Sequence, residues 1–521
     1  MESPPPVSAD TEPVKIVAAV DVGANALRMV VAEVYSDGRI EVLERLQRAV
    51  RLGQDTFRRG RLGGQSMRAA IGVLRDFRRV LDLYNVEKVR AVATSAVREA
   101  SNGETFLDRV FMATRLNVEV IDPSEESRLT VSAVREAAGD SLGLSRRHAL
   151  IADVGGGSTL LTVLDGGEIT TSQSLRLGSI RLQETLSTSE EPPRRSAVLL
   201  RQHISNTLSV LESVVPLVEI DSFVAVGGDA RFAAREIGAA AEAGELAVID
   251  PAAFDKLVAR CERHTAEELS KRHGLPFADA ETLVPALLVY QDLLHNTDCR
   301  QMIVSDVSMR DGLLLDLARR VTGEEDESLS QGVIHSAMAL AEKYQVDLNH
   351  AGNVADVSLR LFDELQGDHG LRPRKRLLLR VAALLHEAGA FVGATAHHKH
   401  SYYLIAHSEI FGLNRDEIEI VAQVARYHRR SAPKPSHVEY VSLSRETRVL
   451  INKLAAILRV ADALSRGRLY QGRDLRLERQ GDDLIIYVPG ASDLTLEKRA
   501  MAMKGDLFED IYGMRIRLEE G

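Results

Sequence analysis

One segment of the sequence combines an aspartate with three glycines and a serine, a set suited to phosphate chemistry. Residues 153–158 read Asp-Val-Gly-Gly-Gly-Ser between two apolar runs, which predicts a strand, a tight turn and a second strand. Glycines leave backbone N–H groups open to an anion, and an aspartate at the strand end can hold a hydrated divalent cation. A loose hairpin loop without a ligand is the alternative. The expected phosphate donors are Gly155, Gly156, Gly157 and Ser158, with Asp153 beside the metal.

A second copy of this pattern lies near the N-terminus. Residues 21–25 read Asp-Val-Gly-Ala-Asn, again between mostly apolar runs, 16–20 and 27–32. Two copies separated by about one small-domain length suggest a duplicated domain whose halves face each other across a cleft. Asp21 and Asp153 are then expected to meet around one metal ion and one phosphate chain. The alternative for both is an aspartate that only caps a turn.

Composition indicates a multidomain globular protein. The chain has 521 residues, 45% of them hydrophobic and 27% charged, whereas single cores rarely exceed about 250–300 residues. A formal net charge of −10 argues against a general nucleic-acid binder. Two cysteines make a disulfide framework unexpected and favour the cytoplasm. No apolar run approaches the ~18–20 residues of a membrane span, so no membrane association is expected.

The order of predicted elements divides the chain into a disordered tail, residues 1–13, and four folded pieces. Three strands followed by alternating helices and strands are predicted twice, over 14–140 and 141–321. Residues 331–470 read as all-α and hold ten of the fifteen histidines, and an acidic linker precedes them. Residues 471–521 read as a small α+β domain. The doubled pattern is similar to the α/β, ribonuclease-H-like lobes of the actin, Hsp70 and sugar-kinase group.

Several ordered motifs over nearly the whole chain resemble the exopolyphosphatase/guanosine pentaphosphatase (Ppx/GppA) family. In the first half, the resemblance rests on residues 21–25, Ala-Thr-Ser-Ala-Val-Arg-Glu-Ala at 93–100, Glu-Glu-Ser-Arg-Leu at 125–129, residues 153–159, and Leu-Arg-Leu-Gly at 175–178. In the helical region it rests on Leu-Leu-His-Glu-Ala-Gly at 384–389 and Arg-Tyr-His-Arg at 426–429.

The resemblance implies hydrolysis of a terminal phosphoryl group, with Mg²⁺ as cofactor and Mn²⁺ as the alternative. Such a reaction requires neutralised phosphoryl oxygens, a water held in line and a base for that water. By motif position, Glu126 is implied as the base, Arg98 as a clamp on a phosphate that is not transferred, and Asn25 as a phosphate donor. The alternatives are a solvated glutamate at a helix start and a solvated arginine at a strand end.

The sequence departs from the family pattern just after the glycine-rich turn. The family motif usually ends in a glutamate associated with metal and water, whereas this chain has Leu160. Because strand side chains alternate, Leu160 is expected to share a face with Ser158 and to look into the cleft. We expect a lowered rate, or a site carried by Glu126 and Asp153 alone. Asp229, where the family commonly has threonine, adds negative charge near bound phosphate.

The helical region also resembles an HD-like domain, in which histidines and acids bind metal. The candidates for such a second site are His350, His386, Glu387, His400, His428 and Asp462. In this family the domain is generally regarded as supporting polymer binding and dimerisation. Buried or substrate-lining histidines are therefore the favoured alternative.

Together these observations predict a cytoplasmic, homodimeric phosphohydrolase that recognises no specific nucleic acid. The extra C-terminal domains favour an exopolyphosphatase that removes terminal phosphate from inorganic polyphosphate. Guanosine pentaphosphate (pppGpp) is the alternative substrate, because it offers the same terminal phosphoanhydride. A binding protein that has lost catalysis and senses (p)ppGpp or polyphosphate is a further alternative, as is an ATP-dependent kinase on the same fold.

Overall fold

The structure is a computed structural model with two compact units, Met1–Asp326 and Glu327–Gly521. The tail up to residue 12 and residues 323–326 of the predicted linker lie outside the described residues. The residues that the structure describes are 13–139, 142–211, 215, 217–240, 246–322, 327–429, 431–465, 475–489 and 493–520.

The first unit contains two sheets built on the same plan. The five-stranded sheet has the order β3-β2-β1-β4-β5, and the seven-stranded sheet has the order β10-β11-β12-β9-β6-β7-β8. The strands of the first sheet are β1 (Pro13–Val22), β2 (Ala26–Tyr35), β3 (Ile40–Ala49), β4 (Lys88–Ala93) and β5 (Val118–Val120). Those of the second are β6 (His148–Val154), β7 (Thr159–Asp165), β8 (Glu168–Leu175), β9 (Ser222–Val226), β10 (Ala239–Ala240), β11 (Leu246–Ile249) and β12 (Met302–Ser305).

The shared plan is visible in the strand pairings. Each sheet starts with three antiparallel strands, β1 to β3 and β6 to β8. On its other side the first strand pairs in parallel, β1 with β4 and β6 with β9, and one further parallel strand follows, β5 or β12. The predicted α/β fold with duplicated ribonuclease-H-like lobes is therefore confirmed. The predicted domain boundaries themselves stay predictions.

Helices cover the sheets of the first unit, which explains why the central strand β1 is apolar on both faces. Val17, Ala18, Ala19 and Val20 are fully buried, as expected for a strand covered on both sides. The helices are α1 (Leu52–Arg59), α2 (Gly64–Leu83), α3 (Ser95–Arg98), α4 (Gly103–Thr114), α5 (Pro123–Ala138), α6 (Ser179–Leu186), α7 (Pro193–Leu211), α8 (Gly228–Ile237), α9 (Pro251–Cys261), α10 (Ala266–His273), α11 (Phe277–His295) and α12 (Met309–Thr322).

The second unit is mostly helical and ends in a three-stranded sheet of order β13-β14-β15. Leu378 of the helical region and Ile486 and Phe508 of the C-terminal segment belong to one apolar core. No helix among the described residues has the length and apolar character needed to cross a lipid bilayer. The elements are α13 (Glu327–Lys343), α14 (Leu348–Glu364), α15 (Gln366–His369), α16 (Pro373–Leu385), α17 (His397–Ala406), α18 (Arg415–Arg426), α19 (Val438–Val441), α20 (Arg445–Leu464), β13 (Arg476–Gln480), β14 (Asp483–Val488), α21 (Thr495–Lys504), α22 (Asp506–Tyr512) and β15 (Arg515–Glu520).

Candidate active site

The two aspartate-glycine segments form hairpin loops with the same backbone hydrogen bond. In the loop after β1, the Gly23 N–H donates to the Ala26 carbonyl at 3.2 Å. In the loop after β6, the Gly155 N–H donates to the Ser158 carbonyl at 2.9 Å. The duplication seen in strand order therefore extends to the conformation of these loops.

Both loops leave backbone donors for which the described part of the chain supplies no acceptor. The loop carbonyls are used, since Gly155 and Gly156 accept from the N–H groups of Ser179 and Ile180 at 3.0 and 2.9 Å. Both loops line one cleft with a cavity volume of about 320 Å³, so their N–H groups can bind an anion there. Among the described residues, no acceptor pairs with the N–H groups of Ala24, Asn25, Gly156, Gly157 and Ser158.

Two glycines are required because the backbone of the second loop touches its neighbours. A Cβ at Gly157 would lie 2.0 Å from the Ser95 hydroxyl oxygen, at the start of α3. A Cβ at Gly178 would lie 2.2 Å from the carbonyl carbon of Gly157. Real Cβ atoms essentially never approach other heavy atoms below 3.0 Å. The loop is therefore held between α3 and Gly178, the residue that precedes α6.

Five carboxylates line the cleft with these loops, and three of them, Asp21, Asp153 and Glu126, are those predicted as metal ligands or base. Asp21 comes from the end of β1, Asp153 from the end of β6 and Glu126 from the first turn of α5. Burial raises the pKa of Glu126 to about 7; Arg98 opposes this shift, and the charges of Asp21 and Asp153 add to it. Burial likewise raises the pKa of Asp153 to about 6, although Arg231 and the Thr130 hydroxyl oppose the rise. The three acids therefore share one poorly solvated site.

This donor set fits a hard divalent cation. The Asp21 Oδ1 atom is buried and has no hydrogen-bond partner among the described residues. Its Oδ2 atom lies 3.6 Å from the Arg28 guanidinium. Carboxylate oxygens are the ligands that Mg²⁺ and Mn²⁺ prefer. Asp21 and Asp153 can therefore hold such an ion, with Glu126 beside it.

The adjacent acids Glu125 and Glu126 have different surroundings. Asp122 caps α5 by accepting from the Glu125 N–H at 2.8 Å, and Pro123 occupies the first turn. The Glu125 carboxylate contacts Arg90 at 2.7 Å and Arg128 at 2.6 Å. Burial acts to raise the pKa of Glu125, but these arginines outweigh it and lower the pKa to about 2. Glu125 thus anchors the helix, while Glu126 lines the cleft.

Arg98 contacts Glu126 and is not among the residues that line the cleft. Its Nη1 atom donates to Glu126 Oε1 at 2.6 Å and to the Ile121 carbonyl at 2.6 Å. No described residue donates to Glu126 Oε2. The predicted contact between Arg98 and phosphate stays a prediction. The side chain that Arg98 contacts in the structure is Glu126, the predicted base.

Four arginines that the sequence reasoning did not select line the cleft: Arg28, Arg231, Arg235 and Arg310. Arg28 interrupts the apolar run of β2, and this charged residue within a buried strand is the sequence feature that could have identified it. Arg231 lies in the first turn of α8 and Arg310 in that of α12. Burial lowers the pKa of Arg310 to about 10, and the charge of Arg28 adds to this shift, so Arg310 stays charged at neutral pH. These guanidinium groups can pair with the oxygens of a polyanion, beside the carboxylates of the same cleft.

Leu160 lies beside Asp153 without lining the cleft. The two residues pair directly across β6 and β7, which places their side chains on the same face of the sheet. Leu160 is 5% exposed and is absent from the cleft wall, so the expectation that it looks into the cleft is wrong. Thr130 of α5 donates to Asp153 Oδ2 at 3.3 Å on that face. A glutamate at position 160 would therefore have its Cβ next to that of Asp153.

In the second unit, some of the predicted second-site residues lie together. His350, His386 and Glu387 form one group, and the His428 ring lies 5.0 Å from the His386 ring between centroids. His400 has no hydrogen bond or ring contact with this group within the described residues. His397, which was not predicted, pairs its Nε2 with that of His428 at 3.2 Å.

Asp462 is already paired with a cation. Its Oδ2 accepts a hydrogen bond from the Lys504 ammonium of α21, and the two side chains are 3% and 5% exposed. Sequence reasoning missed Lys504, because only the tertiary fold brings α21 to the end of α20. The predicted role of Asp462 as a metal ligand therefore competes with this ion pair.

Known proteins are similar to this chain over most of its length. A guanosine-5'-triphosphate,3'-diphosphate pyrophosphatase of Aliivibrio fischeri is 26% identical over 444 residues, which cover 85% of this chain and 86% of that protein. A protein of the same name from Vibrio vulnificus is 24% identical over 473 residues, 90% of this chain and 91% of its own length.

A solved structure shares the fold over part of this chain. The crystal structure of an exopolyphosphatase from Cytophaga hutchinsonii has a TM-score of 0.53 and 24% identity, and it covers 60% of this chain and 99% of its own. The sequence profile of the Ppx/GppA phosphatase family matches residues 30–321, more than half of the chain. The profile of Ppx/GppA phosphatase, domain III, matches residues 334–492. The chain therefore belongs to the Ppx/GppA phosphatase family, whose members hydrolyse phosphoanhydride bonds.

Proposed function

We propose that this chain removes the terminal phosphate of a phosphoanhydride substrate in the cleft of the first unit, with Glu126 as the general base. The observation that carries the proposal is the position of Glu126, which is 8% exposed, lines the cleft and is held at Oε1 by Arg98. Its Oε2 is left to accept a proton from a water molecule. A base with a pKa near the working pH transfers protons most effectively.

The other residues of the cleft bind and orient the phosphate chain. Backbone N–H groups of the two loops donate to phosphate oxygens, and Arg28, Arg231 and Arg310 neutralise charge along the chain. Asp21 and Asp153 hold a divalent cation, for which we propose Mg²⁺ or Mn²⁺. When bound, the cation neutralises phosphoryl charge. Release of phosphate from pppGpp and polyphosphate, measured with and without each ion, tests the proposal directly.

Between the two substrates, we propose that pppGpp is preferred and that polyphosphate is the alternative. The relatives that match most of this chain are named as pppGpp pyrophosphatases. The cleft also contains a carboxyl pair, Asp229 and Asp279, and burial together with the charge of Asp279 raises the pKa of Asp229 to about 7. Polyphosphate is negative throughout and has no donor for these groups, whereas a nucleoside offers N–H and O–H donors.

Replacement of Asp279 by Asn tests this preference. Asp279→Asn removes a charge from the cleft wall, so the ratio of polyphosphate to pppGpp turnover, as kcat/KM, should rise roughly tenfold. Glu281→Gln is the control for loss of one charge from the same helix. Glu281 lies outside the cleft wall, and although its 2.7 Å contact with Arg51 is lost, the ratio of the two kcat/KM values should stay native. An unchanged ratio in Asp279→Asn would contradict the assignment of substrate.

The second candidate function is a sensor that binds the substrate without turnover, and Leu160 favours it. An apolar side chain stands beside Asp153, where the family pattern has a carboxylate. Leu160→Glu should raise turnover by about tenfold or more if the chain is a weakened hydrolase. The control is Leu160→Gln, in which glutamine has the shape of glutamate without its charge. This control should not raise turnover.

Stability gives a second readout for position 160. A buried glutamate without a partner is costly, so Leu160→Glu should unfold at a lower temperature than Leu160→Gln in a chelator. Added Mg²⁺ or Mn²⁺ should remove the difference in unfolding temperature between the two variants, because the ion pairs with the new carboxylate. Tight pppGpp binding with no turnover in both variants would identify the sensor. Homodimer formation and cytoplasmic location stay predictions.

A further inference from the structure

A group of side chains in the second unit has the spacing of metal ligands. One ring nitrogen each of His350 and His386 and one carboxylate oxygen of Glu387 all lie within 4.8 Å of one another. The two rings are 5.8 Å apart between centroids. None of these residues belongs to the cleft of the first unit, so they are free to serve a different ligand.

Local structure fixes the backbone of these residues. The Asp347 carboxylate accepts from the His350 N–H at 3.1 Å and thereby caps the start of α14. His386 ends α16, and its carbonyl accepts from the Ser401 hydroxyl at 2.7 Å. The same hydroxyl accepts from the Gly389 N–H at 2.9 Å. The ligand atoms are therefore presented by a preorganised backbone.

The tautomer of His386 leaves a buried lone pair directed at no protein donor. Its Nδ1 atom lies 2.7 Å from the Ala383 carbonyl, which can only accept, so Nδ1 carries the proton. The Nε2 atom is then an acceptor, and it is buried in a residue that is 0% exposed, with no hydrogen-bond partner among the described residues. The same holds, within those residues, for the buried His350 Nδ1 atom. Unpaired buried acceptors are costly unless a ligand satisfies them.

The nearby acid Asp462 does not need a metal for charge balance, because the Lys504 ammonium already pairs with it. His428 likewise has a partner, since its Nε2 lies 3.2 Å from that of His397. Within the part of the chain that the structure describes, His386 Nε2 and His350 Nδ1 have no such partner. We therefore assign Asp462 and His428 to the surroundings of the site and not to the metal ligands.

We infer that His350, His386 and Glu387 bind one first-row transition-metal dication, of which Zn²⁺ and Fe²⁺ are examples. Two imidazole nitrogens and one carboxylate suit these ions, whereas Mg²⁺ prefers oxygen ligands throughout. The hydrogen bond from Nδ1 of His386 to a carbonyl is the usual support for a metal-binding histidine. Three protein ligands leave at least one coordination position open for water or an anionic oxygen.

Metal binding by the full chain tests this inference. The chelator-treated protein is titrated with Co²⁺ in excess Mg²⁺, and visible absorption together with elemental analysis gives the number of ions bound. We expect one Co²⁺ per chain, displaceable by Zn²⁺. Because fully buried His386 contributes to the core, the variants are His350→Gln and Glu387→Gln at half-buried positions. Each should weaken Co²⁺ binding at least about tenfold, consistent with loss of one of three ligands.

Two controls make the test specific. His400→Gln alters a neighbouring histidine outside the group and should bind Co²⁺ like the native chain. Asp153→Asn removes the proposed ligand in the first unit and should also leave this ion in place. Absence of Co²⁺ binding in Mg²⁺, or equal binding by native, His350→Gln and Glu387→Gln chains with matching thermal unfolding, would overturn the inference.

Discussion

Glu126→Gln should reduce kcat for phosphate release by roughly 10²–10⁴-fold, the range expected for loss of a general base. The amide keeps the size of the side chain and can still contact Arg98, so substrate binding should change little. Phosphate release and equilibrium binding of pppGpp, measured on the same preparation, separate these effects. Glu125 cannot serve as a neutral control, because it pairs with two arginines. The exposed Glu41→Gln variant is the suitable one, and it should keep native kcat.

The pH profile distinguishes a base from a residue that only shapes the cleft. Burial raises the pKa of Glu126 to about 7, and a base acts in its deprotonated form. The rate should therefore rise with pH and level off near or above 7. A bound cation relieves the repulsion from Asp21 and Asp153, so the rising limb should move to lower pH with the ion present. Residual activity of Glu126→Gln with the same rising limb would contradict the assignment.

Gly178→Ala should disrupt the second phosphate-binding loop. The backbone of Gly178 has φ −68° and ψ 145°, which alanine can adopt, so the expected effect comes from contact alone. Its Cβ would lie 2.2 Å from the Gly157 carbonyl carbon and 2.4 Å from the Ser158 nitrogen. We expect the free energy of unfolding to fall by about 1–3 kcal/mol and phosphate release to fall steeply. Chemical denaturation and kcat/KM provide the two measurements.

Gly72→Ala is the matched control for this change. Gly72 lies within α2, and a Cβ there would meet no atom within 4 Å. Alanine inside a helix stabilises it by roughly 0.5–1 kcal/mol relative to glycine. The control should therefore be slightly more stable and fully active. Native stability and activity in Gly178→Ala would show that the loop does not depend on this contact.

The sequence was sufficient to predict the duplicated fold, because local strand patterns and two similar Asp-Val-Gly segments occur in the same order. It also predicted a helix start at the Glu125-Glu126 pair. The family resemblance singled out Glu126 as the base, but the local sequence could not show that Glu125 is held elsewhere, because that depends on Arg90 of β4. That information is tertiary and has no local signature.

The histidine group shows the same limit. The resemblance to an HD-like domain suggested His350, His386 and Glu387, which the fold brings together. It suggested His400, whereas His397 is the residue that reaches His428. The start of α17 depends on Gly389, where a Cβ would lie 2.1 Å from the His397 carbonyl oxygen. Such a backbone contact between separate segments is not visible in a helical pattern.

The anchor of α5 has a consequence for the response to ionic strength. Arg90, Glu125, Arg128 and Asp316 form a network whose side chains are only 5–12% exposed. Dissolved ions screen such buried pairs far less than exposed ones. Attraction of a polyanion to the cleft acts through solvent and weakens as salt rises. Added salt should therefore raise KM while leaving kcat nearly constant, because the helix that carries Glu126 keeps its place.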